Sequence, residues 1–213
     1  MSEFNIYLLR HGELVKTGVL CGRTDLALSP QGKQQLIDAT NKLPKISLCF
    51  SSPLIRCREF AEEFCQKAEL SLQVYPHLQE MDFGDWDGKS YQALWEKNAN
   101  SAEGTPTLGS FWQNPWQFLP PNGESMASFI KRIDNVWLEI IKQLQQMSAD
   151  ENQSKSALVF SHGGVIRYIL AKVLELPIPG TKHMTHLDVP YGALVHIQIF
   201  VDNEGNVWPK LKL

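Results

Sequence analysis

The chain has 213 residues and a formal net charge of −3, and 43% of its residues are hydrophobic, which is ordinary for a globular protein. A charge this small gives no reason to expect nucleic acid or a membrane surface as a partner, so any attraction for an anion must be local. Apolar runs stay well short of the roughly 20 residues that span a bilayer, and the N-terminus lacks a signal-peptide pattern, so we expect a cytoplasmic protein.

The first half of the chain predicts strands that alternate with helices. An apolar segment at 6–9 suits a buried strand of a parallel sheet. The serine–proline pair at 29–30 is a helix start signal, with serine as the cap. The segment 46–50 predicts a second strand, and the serine–proline pair at 52–53 repeats the helix signal. A short edge strand is expected at 72–75.

The second half begins with an irregular stretch and then returns to regular elements. Residues 81–123 hold four tryptophans among scattered Gly, Pro and Asn, which is typical of a lid or binding loop. An amphipathic helix is predicted over 125–147, followed by a buried strand at 157–160 and a helix over 164–174. The alternation from 193 to 208 indicates a terminal hairpin.

Three strand-to-helix units, each with polar residues at the carboxyl end of the strand, predict an α/β fold. We expect a three-layer α/β/α sandwich with a mostly parallel central sheet and an antiparallel edge. Because nothing in the middle of the chain has the composition of a linker, one domain is predicted over 1–213, with an aromatic-rich lid or insertion at about 81–123.

The residues that follow the three strands suit phosphoryl transfer. Carboxyl ends of parallel strands meet at one edge of a sheet, where ligands of open α/β sheets bind. Neutral imidazole is a nucleophile, guanidinium offers a planar fork of donors to phosphate, and glycine lets backbone N–H groups approach a ligand. Each residue alone would more often be structural, and it is their coincidence that indicates a phosphate site. The candidates are Arg10, His11, Gly12, Arg56, His162 and Gly163.

Glu80 is the candidate general acid for the departing oxygen. It lies just past the predicted edge strand, beside Met81, Phe83 and Trp86, which give it the apolar setting in which a carboxylic acid keeps its proton. The competing carboxylates in the same segment are Asp82, Asp85 and Asp87.

These motifs together resemble the histidine phosphatase superfamily, the phosphoglycerate-mutase-like enzymes, over nearly the whole chain. The opening signature is Leu9-Arg10-His11-Gly12-Glu13. The remaining motifs lie at 22–32, 51–57, 80–88, 121–125 and 161–167. The short length and the element Phe83-Gly84-x-Trp86-x-Gly88 are most similar to the α-ribazole phosphatase group.

The resemblance implies a metal-independent phosphomonoesterase without a cofactor. His11 would be phosphorylated as a covalent intermediate, and Arg10, Arg56 and His162 would surround the phosphoryl group. Glu80 would protonate the leaving group and then activate water. The expected partner is a small phosphorylated metabolite, and a homodimer is left open.

Two positions depart from the family pattern, and two histidines lie outside it. Leu14 stands where the family usually has Thr or Ser, and Thr17 stands where it has an asparagine that holds the phosphate, so the Thr17 hydroxyl is the expected substitute. His183 and His186 lie three apart in a predicted loop without a third metal ligand, and we expect structural or surface roles for them.

The resemblance implies α-ribazole 5′-phosphate as the substrate, and an aromatic wall would suit its flat nucleoside base. The residues of that wall would be Phe83, Trp86, Trp112 and Trp116, unless they only pack the lid. Alternative hypotheses are a broad phosphatase of small phosphometabolites and a phosphoglycerate mutase. A silent phospho-ligand binding module is the remaining alternative, and the complete set of candidate catalytic residues argues against it.

Overall fold

A sheet of six strands lies at the centre of residues 2–99, 105–147 and 155–213, the part of the chain that the computed structural model describes. The strands are β1 (Ser2–Arg10), β2 (Leu48–Ser51), β3 (Leu72–Val74), β4 (Lys155–Ser161), β5 (Leu194–Val201) and β6 (Val207–Lys212). Their order is β3-β2-β4-β1-β5-β6. The first four strands run parallel, and β5 and β6 form the antiparallel edge, as the sequence predicts.

Helices connect the strands. They are α1 (Pro30–Thr40), α2 (Ile55–Ala68), α3 (Tyr91–Ala99), α4 (Leu108–Gln113), α5 (Met126–Gln146), α6 (Gly163–Val173) and α7 (Lys182–His186). Two short 3₁₀ turns lie at Pro76–Leu78 and Gly84–Trp86. Within the described ranges, no helix combines the length and the apolar character that crossing a membrane requires.

The side chains of β1 show why the sheet is covered on both faces. Successive residues of a strand point to opposite sides. Ile6 and Leu8 accordingly join the hydrophobic core that contains the buried stripes of α5 and α6. Tyr7 and Leu9 join the core that α1 and α2 complete on the other face. The predicted three-layer arrangement is confirmed.

The first serine–proline signal starts a helix, and the second does not. Ser29 caps α1 by accepting a hydrogen bond from the amide of Gly32 at 3.0 Å. Helix α2 begins at Ile55, two residues after the proline of the signal at 52–53, with Leu54 at its N-cap and no side-chain cap. Oγ of Ser52 accepts the amide of Leu54 at 3.3 Å and also lies 2.7 Å from Nε2 of His162.

The stretch 81–123 is more regular than predicted. It contains the turn Gly84–Trp86 and the helices α3 and α4, while residues 100–104 lie outside the described ranges. Thr107 and Ser110 form a reciprocal capping box that starts α4. Phe111 is fully buried and holds this helix against the core.

The loop predicted around His183 and His186 is wrong, because both residues lie on the short helix α7. This helix has only five residues and no side-chain cap, so the usual start signal is missing from the sequence.

Candidate active site

Strand register gathers the ends of β1, β2 and β4 at one edge of the sheet. Arg10 lies opposite Ser161, and Ser51 lies opposite Phe160. Beyond the strand ends, the amide of His11 donates to the carbonyl of Ser161 at 3.0 Å. The residues that follow the three strands are therefore neighbours in space, although about 150 residues separate the first from the last in sequence.

His11 and His162 face each other at this edge. Their ring centroids are 5.3 Å apart. His11 is 5% exposed, and its Nδ1 lies 2.8 Å from the carbonyl oxygen of Gly12. Because a carbonyl can only accept, the neutral ring carries its proton on Nδ1 and keeps the lone pair on Nε2. This tautomer leaves Nε2 as a nucleophile.

The surroundings of His11 favour its neutral form. Burial lowers the pKa of His11 well below 6.5, and the positive charges of Arg56 and Arg10 lower it further. The ring is therefore unprotonated at neutral pH.

Arg56 is fully buried and is held at three points. Its Nη1 donates to the carbonyl of Thr24 at 2.8 Å and its Nη2 to that of Gly22 at 2.6 Å. Its Nε donates to Nδ1 of His162 at 3.2 Å. Asp87 fixes the loop that supplies these carbonyls, because it accepts the amides of residues 22–24.

His162 is fully buried between Arg56 and Ser52. Since Nδ1 accepts from Arg56, the ring proton of the neutral form lies on Nε2, which is 2.7 Å from Oγ of Ser52. Burial lowers the pKa of His162 well below 6.5, and Arg56 lowers it further. This geometry holds a neutral ring.

The guanidinium of Arg10 has one nitrogen bound to the protein backbone and one buried nitrogen without a partner among the described residues. Nη1 donates to the carbonyl of Val189 at 2.6 Å, and the guanidinium carbon lies 4.2 Å from the ring centroid of Tyr191. Its buried Nε has no hydrogen-bond partner among the described residues. A buried donor without a partner in a site of this kind is typical of an atom that binds a ligand.

Glu80 is joined to the loop of the second histidine. Its Oε2 accepts the amide of Gly164 at 2.9 Å, and its Oε1 accepts the amide of Met81 at 3.0 Å. A Cβ atom at position 164 would lie 2.3 Å from Oε1 of Glu80. Glycine at this position is therefore required for the carboxylate to sit beside α6.

A guanidinium also holds the backbone at Glu80. Arg132 pairs with Glu124 through Nε–Oε1 at 2.7 Å and Nη2–Oε2 at 2.9 Å. The same guanidinium donates to the carbonyls of His77, Gln79 and Glu80 at 2.7–2.9 Å. This pair fixes the segment that carries the candidate acid.

The competing carboxylates stabilise turns. Asp82 accepts the amide of Gly84 at 2.8 Å, and Asp85 accepts from the side-chain amide of Asn122 at 3.1 Å. Asp87 organises residues 22–24, as described above. Of the four candidates, the structure connects the side chain of Glu80 to the second histidine loop.

The predicted phosphate-binding glycines differ in what they permit. A Cβ at Gly12 would lie 2.0 Å from the carbonyl oxygen of Gly32, so this glycine lets the loop pack on the start of α1. A Cβ at Gly163 would lie 3.4 Å from Nε of Arg10. Thr17 is exposed in the loop after Leu14, and its phosphate contact stays a prediction.

The four predicted wall residues occupy three different environments. Phe83 and Trp112 line a cavity of about 50 Å³ that Glu80 also borders. Trp86 is buried against Phe111, with ring centroids 6.1 Å apart. Trp116 donates from Nε1 to the carbonyl of Gly180 at 3.0 Å.

Several residues of this region were not found from the sequence. Ser52 carries a helix start signal in the sequence, which does not indicate its contact with His162, and the contact of Tyr191 with Arg10 and His11 has no local sequence signal. Arg132 lies on the polar side of an amphipathic helix, where a surface role is the default interpretation. In the described ranges, histidine, cysteine and carboxylate side chains form no group of three or more that is suited to a metal ion.

Comparison with known proteins shows which proteins this chain resembles. Among curated relatives, the adenosylcobalamin/alpha-ribazole phosphatase of Escherichia coli K12 is 29% identical over 199 residues, covering 91% of this chain and 89% of that protein. The sedoheptulose 1,7-bisphosphatase of Saccharomyces cerevisiae is 24% identical over 223 residues, covering 92% and 80%.

Solved structures share the fold. A mycobacterial glucosyl-3-phosphoglycerate phosphatase superposes with a TM-score of 0.78 at 23% identity, covering 99% of this chain and 98% of that one. A putative alpha-ribazole-5'-P phosphatase from Escherichia coli gives 0.76 at 24% identity, covering 99% and 95%. The predicted phosphoglycerate-mutase-like fold is confirmed. Residues 6–207 match the family described as "Histidine phosphatase superfamily (branch 1)". The chain therefore belongs to the histidine phosphatase superfamily and is a phosphatase.

Proposed function

We propose that this phosphatase cleaves phosphomonoesters through a phosphohistidine at His11. The observation that supports this most directly is the hydrogen bond from Nδ1 of His11 to the carbonyl of Gly12, which leaves the Nε2 lone pair free. The low pKa of the buried ring keeps that lone pair available at neutral pH.

The first step transfers the phosphoryl group. Nε2 of His11 attacks phosphorus, the N–P bond forms, and the ester P–O bond breaks. The departing oxygen takes the proton of Glu80 and leaves as an alcohol. In the second step water attacks the phosphohistidine, Glu80 takes a proton from that water, and the P–N bond breaks to release phosphate.

Positive charge stabilises the transferring group. Arg10 offers its unpartnered Nε, and Arg56 holds its charge in a fixed position beside His162. Donors that are already in place when charge develops are usually the largest contribution to such catalysis. His162, in its neutral form, accepts a hydrogen bond from Arg56 and so helps to fix the position of that charge.

Replacement of the nucleophile tests this mechanism. We expect His11→Ala to lower the turnover of 4-nitrophenyl phosphate by about 10³-fold or more. Brief incubation with a substrate that is labelled on its phosphate should leave an acid-labile, alkali-stable label on the native chain and none on the variant. His186→Ala, which changes an exposed histidine, is the matched control. Full activity in His11→Ala would overturn the proposal.

For the substrate, we propose α-ribazole 5′-phosphate. Support comes from the Escherichia coli relative named above. The test is a panel that contains this ester, ribose 5-phosphate, 3-phosphoglycerate and sedoheptulose 1,7-bisphosphate. A much higher kcat/KM for any of the others would refute this substrate.

A broad phosphatase of small phosphometabolites is the second candidate. The small volume of the cavity beside Glu80, about 50 Å³, favours a compact leaving group over a bicyclic base at that point. Comparable kcat/KM values across the panel would support this reading. Isomer exchange of phosphoglycerates without phosphate release would indicate a mutase instead.

We also propose that the chain folds as one domain over 1–213 and acts in the cytoplasm, alone or as a homodimer. A single cooperative unfolding transition would support one domain, and sedimentation would distinguish monomer from dimer.

A further inference from the structure

Two buried side-chain nitrogens lack a hydrogen-bond partner among the described residues: Nε of Arg10 and Nδ1 of His183. A buried polar atom without a partner lowers stability unless a ligand or a water molecule forms the missing hydrogen bond. The Arg10 nitrogen belongs to the phosphate site proposed above. His183, which is 3% exposed and lies on α7, has no part in the proposed mechanism.

His183 lines the same cavity as the candidate acid. Glu80, Gly164 and Arg167 border this cavity together with His183. The rest of the lining is apolar and consists of Met81, Phe83, Trp112, Met126, Phe129 and Met184. Because Glu80 protonates the departing oxygen, a cavity at its side would receive the alcohol that leaves.

The volume of the cavity limits what enters it. A water molecule needs about 10–15 Å³ on this scale, whereas a cavity that binds benzene measures about 150 Å³. The observed volume of about 50 Å³ therefore suits a short aliphatic arm with one polar atom. An aromatic ring is too large for it.

The charge state of His183 determines which polar group of a bound molecule can form a hydrogen bond with its Nδ1. Burial lowers the pKa of His183, and the positive charge of Arg167 lowers it further, so the ring is neutral at neutral pH. Nδ1 of a neutral ring either donates or accepts, according to the tautomer. A hydroxyl group both donates and accepts, so it pairs with either tautomer.

We propose that His183 is a specificity-determining residue, with Nδ1 binding a hydroxyl group on the departing alcohol a few bonds from the ester oxygen. The inference rests on the proposed function, because it takes Glu80 as the acid. It adds a substrate class, namely phosphomonoesters of hydroxylated aliphatic alcohols or sugars.

Three small esters test the hydroxyl preference. They are propyl phosphate, 2-hydroxypropyl phosphate and 3-hydroxypropyl phosphate, and kcat/KM is measured from phosphate release. One buried hydrogen bond predicts that at least one hydroxylated ester is preferred over propyl phosphate by about three- to tenfold. In His183→Phe this ratio should fall to about one.

Control variants separate recognition from structure. His186→Phe introduces the same side chain on the exposed side of α7 and should keep the native ratio. His183→Asn retains a polar atom near the position of Nδ1 and should restore part of the preference. His183→Phe should melt at or above the native temperature, since it removes an unpartnered buried atom, whereas a structural histidine would lower that temperature.

The two proposals fail in different ways. Equal kcat/KM for the three esters in the native chain, or an unchanged preference in His183→Phe, would overturn the role of His183 alone. Absence of 4-nitrophenyl phosphate turnover and of the phosphohistidine label would remove the proposed function, and the His183 inference with it.

Discussion

Nε of Arg56 donates a hydrogen bond to Nδ1 of His162 inside the protein, at 3.2 Å. The other two nitrogens of the guanidinium are bound to the carbonyls of Thr24 and Gly22. The position of this charge is therefore set by the protein and not by the ligand. At the proposed phosphate site, such an arrangement would require no reorganisation on binding of a phosphoryl group.

The first prediction concerns the planar fork of Arg56. In Arg56→Lys a single ammonium replaces three directed donors, and at least one of the buried acceptors loses its partner. We expect the free energy of unfolding to fall by about 1–3 kcal/mol. We expect kcat for an aryl phosphate to fall by about 10²-fold. Urea unfolding and steady-state kinetics measure the two effects.

Arg58→Lys is the control for this change. Arg58 lies on the same helix, is largely exposed and pairs with Glu62 at 3.6 Å on the surface. Such exposed pairs contribute little. Equal losses in the two variants would show that the fork at Arg56 has no special role.

A second prediction uses two adjacent glycines. In Gly164→Ala the new methyl group would displace the carboxylate of Glu80, whose Oε1 lies 2.3 Å from the Cβ position. We expect kcat to fall about tenfold or more for alkyl phosphates, which need protonation of the leaving oxygen, and less for 4-nitrophenyl phosphate. In Gly163→Ala the new Cβ would meet its nearest atom at 3.4 Å. This variant should therefore change the ratio of kcat for alkyl phosphates to kcat for 4-nitrophenyl phosphate less than Gly164→Ala does. Identical dependence in both variants would contradict the role of Glu80.

A third prediction concerns the pair of Arg132 and Glu124. Both side chains are 11% exposed, so removal of one leaves the other charge nearly buried. We expect Arg132→Met to lower the free energy of unfolding by about 3 kcal/mol, and the double variant Arg132→Met/Glu124→Met to be less destabilised than the sum of the single variants. kcat should fall while KM changes little, because the segment of Glu80 loses its support. Strict additivity would argue against a coupled pair.

The fourth prediction concerns stability and pH. In the unfolded chain His11 takes up a proton as the pH falls through about 6.5, whereas burial holds the pKa of the native ring well below that value. The unfolded state then binds more protons, so stability decreases as the pH falls below 6.5. Above pH 6.5 His11 is unprotonated in both the native and the unfolded state, so it does not contribute to the pH dependence of stability.

The size of this effect is fixed by linkage. One histidine of this kind contributes a slope of about 1.4 kcal/mol per pH unit between its unfolded and native pKa values. Urea unfolding of the native chain and of His11→Asn between about pH 5 and 7.5 measures it. The variant should show a slope smaller by that amount below 6.5. The same slope in both proteins would mean that the native ring protonates normally.

Sequence patterns predict the sheet and its main helices well because those elements depend on local signals. The strand β1 is predicted by the apolar run at 6–9, the start of α1 by the cap at Ser29, and α5 by its apolar stripe. The sequence also indicates which residues follow the three strands, since topology alone brings strand ends together. Their catalytic roles remain predictions.

Other features depend on contacts between distant segments, which no local pattern encodes. Ser52 carries a cap signal, but its hydroxyl contacts His162, about a hundred residues away. The buried state of His183 depends on packing around α7, a helix without a cap. The neutral state of His162 follows from the hydrogen bond that it accepts from Arg56, which only three-dimensional geometry reveals.

The pairing of Arg10 with Ser161 has a consequence for how preparations of this enzyme are judged. A slip of one residue between β1 and β4 would turn every side chain of one strand to the other face and carry the imidazole at 162 away from its partner. Such a molecule would remain collapsed and helical but would have no activity. Low specific activity together with normal circular dichroism and normal size is therefore the expected sign of misaligned strands in a preparation.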